Sequence, residues 1–211
     1  MNIEANTPIT GTLKYKVYRA PGPGLTWKLR NNLTFGYIRG WLAYHLAKPL
    51  GKLFGFGTIT SRLLVKVHKA TGEWIDYGVV SYRVVTTAFV TALATALHTQ
   101  ASAGNLFYHA LGTDDDPGPA IGDTGMNTEL TTEYNPDGTR PAGTHTSAAN
   151  VYESVATITI DSGTPGVVEH GVMGAATGAS TLIDRHTFAV VNLGGGDSFV
   201  ATYQLTLTAG G

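Results

Sequence analysis

Four short runs in the second half of the chain constrain its fold more than any other feature. They are "ESVATITI" at 153–160, "GVVEHGVMG" at 166–174, "TLIDRHTFAVVNL" at 181–193 and "SFVATYQLTLT" at 198–208. Each has the alternating texture of a β-strand, and Gly-rich turns separate them. The pattern predicts antiparallel strands that close as a β-sandwich with whatever strands the first half supplies. The 27 glycines and three methionines point the same way, toward tight turns and strands more than a helical enzyme.

The first half carries an internal echo. Residues 14–22 read "KYKVYRAPG" and residues 64–72 read "LVKVHKATG". Extended to "KVYRAPGPGLTWKL" and "KVHKATGEWIDYGVV", both read as strand, Gly-containing turn and second strand with a Trp, which predicts two hairpins. A segment with helical spacing follows each. In "TFGYIRGWLAYHLAKPL" the apolar residues are Tyr37, Ile38, Trp41, Leu42 and Leu46; in "TTAFVTALATALHTQ" they are Phe89, Val90, Leu93 and Leu97. Breakers at Pro49 to Gly51 and at "ASAG" are expected to end these helices, and "KLFGFGT" (52–58) and "NLFYHALGT" (105–113) to close the two copies as strands. The expected fold is therefore mainly β with two short-to-medium helices (α+β). It consists of a duplicated hairpin–helix–strand unit, 11–60 and 61–113, followed by an antiparallel β-sandwich. Domain organisation follows as 1–60, a basic hairpin-helix docking unit, and 61–211, the second unit with the sandwich.

Charge divides the same way. Residues 1–70 hold eleven Lys or Arg against one acid, a balance of +10; residues 71–211 hold three Arg against fourteen acids, a balance of −11. Such a split implies that one end docks on something acidic. Lys14, Lys16, Arg19, Lys28, Arg30 and Arg39 alternate with Tyr15, Tyr18, Trp27 and Tyr37, a mixture that suits single-stranded nucleic acid or a protein interface. With net charge near zero the reading favours protein, and Trp27, Tyr37, Arg39 and Trp41 are the interface anchors. With no run near 20 apolar residues and no secretion signal at the N-terminus, the expectation is a soluble protein made in a cytoplasm.

Motifs for chemistry are sparse. The chain has no cysteine, so thiolate metal sites and cysteine nucleophiles are excluded. Its seven histidines show no H-E-x-x-H or H-x-H spacing. Glu169 and His170 are neighbours on an expected strand, as are Arg185 and His186, so each pair points to opposite faces. A Glu169–Arg185 cross-strand pair that sets register is preferred to a Glu169/Asp184 hydrolase dyad. Asp114, Asp115, Asp116 and Asp123 read as an acidic turn because Pro117 and Pro119 break calcium-loop geometry, with a low-affinity cation site at Asp114–Asp116 left open. Nucleophile-elbow and nucleotide-loop motifs are absent, and "NLGGGDSF" reads as a turn between strands. No enzymatic activity, cofactor or metal is expected.

The stretch "LFYHALGTDDDPGPAIGDTGMNTEL", followed by "NVYESVATITI" and "VVEHGVMGAATGASTLIDRHTFAVVNLGGGDSFVATYQLTL", resembles a group of structural proteins from tailed bacteriophages. The order of the motifs carries the likeness, from Val79 to Gly211 and more loosely over the first hairpin. The resemblance implies a non-enzymatic, β-rich component of the virion. From it follows the expectation of a capsid decoration or cement protein on the head surface, a homo-oligomer with a trimer preferred, bound to the major capsid protein or other virion proteins, without membrane and with nucleic acid disfavoured. A tail-fibre or receptor-binding protein is the alternative, its loops 114–126 and 135–149 touching the host. Deleting residues 1–60 is then expected to abolish particle association and leave a folded C-terminal domain.

Overall fold

A computed structural model describes residues 21–55, 57–83, 85–99 and 108–209. Eight strands form two antiparallel sheets. The five-stranded sheet runs β2 (Trp74–Arg83), β1 (Thr58–His68), β8 (Ser198–Thr208), β5 (Val151–Thr159), β4 (Thr144–Ala148); the three-stranded sheet runs β3 (Tyr108–Gly112), β6 (Gly166–Met173), β7 (Leu182–Asn192). Alternation explains the large sheet: Leu63, Val65 and Val67 of β1 are fully buried and their sequence neighbours less so. They meet Ile158 and Phe199 from their own sheet, and Leu111, Val167, Phe188 and Val191 from the other. At about 1.5–3 kcal/mol for each large apolar side chain fully buried, this shared core is the main source of stability.

The small sheet is buried on both faces, since the loops at 113–143 lie over its outer side. Gly171 shows how close the cover is: a Cβ there would sit 2.7 Å from Met126 Sδ. Burial on two sides accounts for β7, in which Asp184, Arg185 and His186 are all buried in succession.

Three helices among the described residues pack against these sheets. In α1 (Leu25–Asn32), Trp27 and Asn31 lie one turn apart and both engage the edge strand β7. The Trp27 indole N–H donates to Val190 O at 2.9 Å. Asn31 donates from Nδ2 to Val80 O at 3.0 Å and accepts at Oδ1 from Ala189 N at 2.9 Å, so one buried amide joins the edges of both sheets. In α2 (Phe35–Phe54), Thr34 Oγ1 caps the N-terminus by accepting from Tyr37 N at 3.1 Å, and Gly55 ends the helix with φ 71°. Gly40 lets α2 approach β2, because a Cβ there would lie 2.1 Å from Tyr82 O. α3 (Thr87–Thr99) starts on Thr86, whose hydroxyl accepts from Phe89 N at 3.1 Å and donates to Leu182 O at 2.6 Å.

Several sequence expectations change. β1 and β2 form the expected second hairpin, but the expected second strand of the first hairpin is α1; residues 14–20, its first strand, lie outside the described residues. Tertiary anchoring of Trp27 and Asn31 outweighs the weak strand signal there. Pro49 does not stop α2, which continues to Phe54 and makes helix of the start of "KLFGFGT", whereas "NLFYHALGT" contributes strand β3. The described elements therefore do not repeat as whole units. Residues 144–148, expected as loop, form the exposed edge strand β4, which a turn at Ala149 (φ 54°) returns into β5. A boundary at residue 60 falls inside β1.

Candidate functional site

The expected anchors are divided by the structure. Trp27 packs into the chain's own fold, edge-to-face on Tyr77 at 4.7 Å with its N–H held by β7. Tyr37 lies edge-to-face on Tyr82 at 5.5 Å; burial, and then Tyr82 beside it, push its hydroxyl up to about 12. Arg39 and Trp41 are exposed on α2. Lys14, Tyr15, Lys16, Tyr18 and Arg19 lie outside the described residues.

Arg39 and Trp41 belong to a larger surface that aromatic and basic composition alone does not reveal. Ile38, Leu42, Leu46 and Leu50 recur every fourth residue of α2 and are all exposed, continuing into Leu53 (73% exposed) and Phe54. Leu25, Leu29 and Leu33 repeat the spacing along α1 and are exposed too. Residues 21–54 contain five Lys or Arg and no Asp or Glu. The signal was present in the sequence as a four-residue apolar period, but periodicity shows that a helix has an apolar face without showing which way the face turns. Small exposed apolar clusters are ordinary on monomers; this stripe runs along two successive helices and is larger than such a cluster.

Inside the molecule, a polar layer crosses the core between the sheets. His109 Nδ1 lies 2.9 Å from His170 Nε2, and His109 Nε2 lies 2.9 Å from Ser154 Oγ on the facing sheet. His170 and His186 stand opposite each other on β6 and β7. Asp184 accepts from Ser61 Oγ, from Tyr203 O–H at 3.3 Å and from the Arg185 amide at 2.8 Å. His186 Nε2 is 3.3 Å from Asp184 Oδ2 without hydrogen-bond geometry, and its Nδ1 has no partner. Burial lowers His109 to about 3; burial, then the neighbouring His109 and His186, hold His170 well below the usual range. Both are neutral near pH 7. The seven histidines carried no spacing signal because these three come from different strands and meet only through sheet register.

The outer side of the same sheet holds an ion network. Arg185 Nε donates to Glu169 Oε1, while Arg185 Nη1 donates to Asp123 Oδ2 and Pro117 O, each at 3.0 Å. Thr187 is the residue directly opposite Glu169, so the Glu169–Arg185 contact is diagonal. Burial raises the Glu169 carboxyl, against the pull of Arg185 and the Asn127 and Thr128 amides. Glu169 lies on the opposite face from His170, and Arg185 from His186. This network fastens the loop cover: Asp123 is held by Arg185 and also accepts from Ala120 N at 2.9 Å, so the four loop aspartates do not converge. Asp114 instead accepts from the Asp116 amide at 3.0 Å. Among the described residues no three His, Asp or Glu are grouped to hold a metal.

These arrangements differ in what they can do. The histidines and the serine of this layer are enclosed, with His109, His170, His186 and Ser154 at 0% exposure, and Asp184 at its edge lines a cavity beneath α2. The helical stripe is open. No helix among the described residues is long and apolar enough to cross a membrane. No family model, curated protein or solved structure matches this chain.

Proposed function

We propose that this chain is a non-enzymatic structural component of a tailed-bacteriophage particle, a capsid decoration protein that docks on the protein lattice of the head through α1 and α2. The observation that carries this reading is the outward apolar stripe of Ile38, Leu42, Leu46, Leu50 and Leu53 on a surface with cations and no acid. The motif order of residues 79–211 supports it. A stable contact buries on the order of 1,500 Å² in total, and many symmetry-related copies then act together against internal pressure. Homo-oligomerisation, as a trimer, is part of the proposal, as is location on the capsid surface.

Copy number in purified virions tests the station. Hundreds of copies per particle support decoration; between about three and eighteen would replace it with a tail-fibre protein. Deleting residues 1–60 is a poor test of docking, because it also removes Trp27 and Asn31 from the sheet edges and Thr58 to Thr60 from the pairing of β1 with β8. Leu42→Asp with Leu46→Asp replaces it: particle binding should be lost while the isolated protein unfolds at an unchanged urea concentration. Undiminished binding would remove α2 as the docking element.

A further inference from the structure

Beneath the start of α2 lies an arginine-lined cleft distinct from the apolar stripe. A cavity of about 590 Å³ is bounded by α2, the end of β2, the loop at 118–121 and β7; Arg39, Arg83 and Arg185 contribute to its wall, with Asp184 as the one carboxylate among its lining residues. A second cavity of about 400 Å³ adjoins it, shares Gly36 and Arg83, and adds Arg30 and Asp115. Among the described residues, Arg30, Arg39 and Arg83 have no carboxylate within ion-pair distance. Arg83 is fixed by neutral acceptors only: Nη1 donates to Gly36 O at 2.9 Å and Nη2 to Thr187 Oγ1 at 2.9 Å. Gly36 and Gly40 make the space for its guanidinium, since a Cβ at either would come within 3.3 Å of it.

Two donors here are unanswered. Arg83 Nε and Arg185 Nη2 are buried without a hydrogen-bond partner, and the Arg185 side chain is only 1% exposed. Leaving buried donors unpaired is costly, and the cost is greater for charged groups. Burial lowers the Arg83 pKa; Asp184 opposes that, and the charges of Arg185 and Arg39 add to it. Arg185 is already paired with Glu169 and Asp123, and Asp184 keeps its own hydrogen bonds to Ser61 and Tyr203, so the excess charge at the opening is that of Arg30, Arg39 and Arg83, and planar guanidiniums suit oxyanions that accept two hydrogen bonds at once.

We infer that this cleft binds a small polyvalent oxyanion of the phosphate or polycarboxylate class, seated between Arg39 and Arg83 with Arg30 at its narrower end. The inference is independent of the docking reading, because it concerns the cleft under α2 and not the outward stripe. Asp115 at the rim opposes the ligand and so tunes its affinity.

Titration calorimetry of the full chain at low ionic strength with pyrophosphate and with citrate tests it, alongside the arginine Nε–H signals in a ¹H–¹⁵N spectrum. Saturable binding is expected, weakening as salt is raised, with a shift of the Arg83 Nε–H signal. Arg39→Ala and Arg30→Ala, both at exposed positions, should each weaken binding about tenfold, and Asp115→Asn should tighten it about threefold. Binding of pyrophosphate alone identifies the phosphate class, and binding of citrate as well identifies oxyanions in general. Absence of saturable heat with both probes, an unmoved Arg83 signal, or an unchanged affinity in the Arg30/Arg39 double variant would each overturn the inference.

Discussion

The sheets and the helices of this molecule treat their apolar residues in opposite ways. In the sheets, Leu63, Val65, Leu111, Ile158 and Phe199 are fully enclosed, and even Asp184, Arg185 and His186 of β7 lie under cover. In α1, α2 and the turn between them, nine leucine, isoleucine, tryptophan and phenylalanine side chains from Leu25 to Phe54 remain more than 40% exposed, with Leu50 at that limit. The sheets enclose their apolar side chains, and the helices leave theirs on the surface. The inward contacts of the helices, through Trp27, Asn31 and Gly40, serve to close the sheet edges and to present the remaining side chains outward.

If the enclosed half is as self-sufficient as this contrast implies, removing one member of its ion network should have the largest effect. Arg185→Leu leaves Glu169 buried without its charge partner and releases Asp123 from the loop cover, and should cost about 3–5 kcal/mol in urea unfolding. Asp123→Asn keeps the shape of the cover and should cost less. A loss below about 1 kcal/mol for Arg185→Leu would mean that the loops at 113–128 are held by something else.

Acid should affect the same half next. His109 is lowered to about 3 and His170 is also depressed, so the unfolded chain binds their protons more readily than the folded one. Their contribution is complete above the unfolded histidine value of about 6.5 and is lost as pH falls below it. By pH 5 the loss from His109 is about 2 kcal/mol, and His170, depressed in the same direction, adds to it. Glu169, raised by burial, acts with the opposite sign, and Asp197, held low by Lys69 and the Ala70 and Gly194 amides against burial, loses its contribution only at lower pH. Urea midpoints measured from pH 7.5 to 5 check this. A flat profile would show that the histidine layer admits water.

How much of this was legible in the sequence depends on whether a signal was local. β5 to β8 were readable because alternation and Gly-rich turns are local, and the second hairpin because Gly72 and Trp74 punctuate it. The pairing of Glu169 with Arg185 was readable because β6 and β7 are consecutive, so one register choice brings the two together. α1 was not, since its helical state rests on backbone groups of Val80, Ala189 and Val190, about 50 to 160 residues away. The His109–Ser154 and Ser61–Asp184 contacts cross between sheets and depend on how the sheets stack, which no spacing along the chain encodes. The charge split was visible, but the cleft formed by Arg30, Arg39 and Arg83 required the packing of α2 on β2.

Asn31 sits where the two halves join, and Asn31→Ala sharpens the contrast at that seam. Its amide satisfies Val80 O on one sheet and Ala189 N on the other. Removal leaves two edge-strand groups unpaired and should cost about 1–3 kcal/mol, with faster amide exchange confined to β2 and β7. Exchange rising equally across β1 and β8 would mean that α1 supports the whole fold instead of its edge.

The smallest expected change in stability carries the most information about the helices. Leu53→Ala removes a side chain that is 73% exposed and should alter urea stability by less than about 0.5 kcal/mol, in contrast to about 3–5 kcal/mol for Phe199→Ala in the enclosed core. If the helical stripe is an interface, the same Leu53→Ala substitution, combined with Leu46→Ala, should weaken self-association or particle binding measured by sedimentation at matched concentrations. The two measurements separate the alternatives by mechanism. A side chain packed in the monomer changes stability at any protein concentration, whereas one packed against a partner changes only the concentration at which the partner is held.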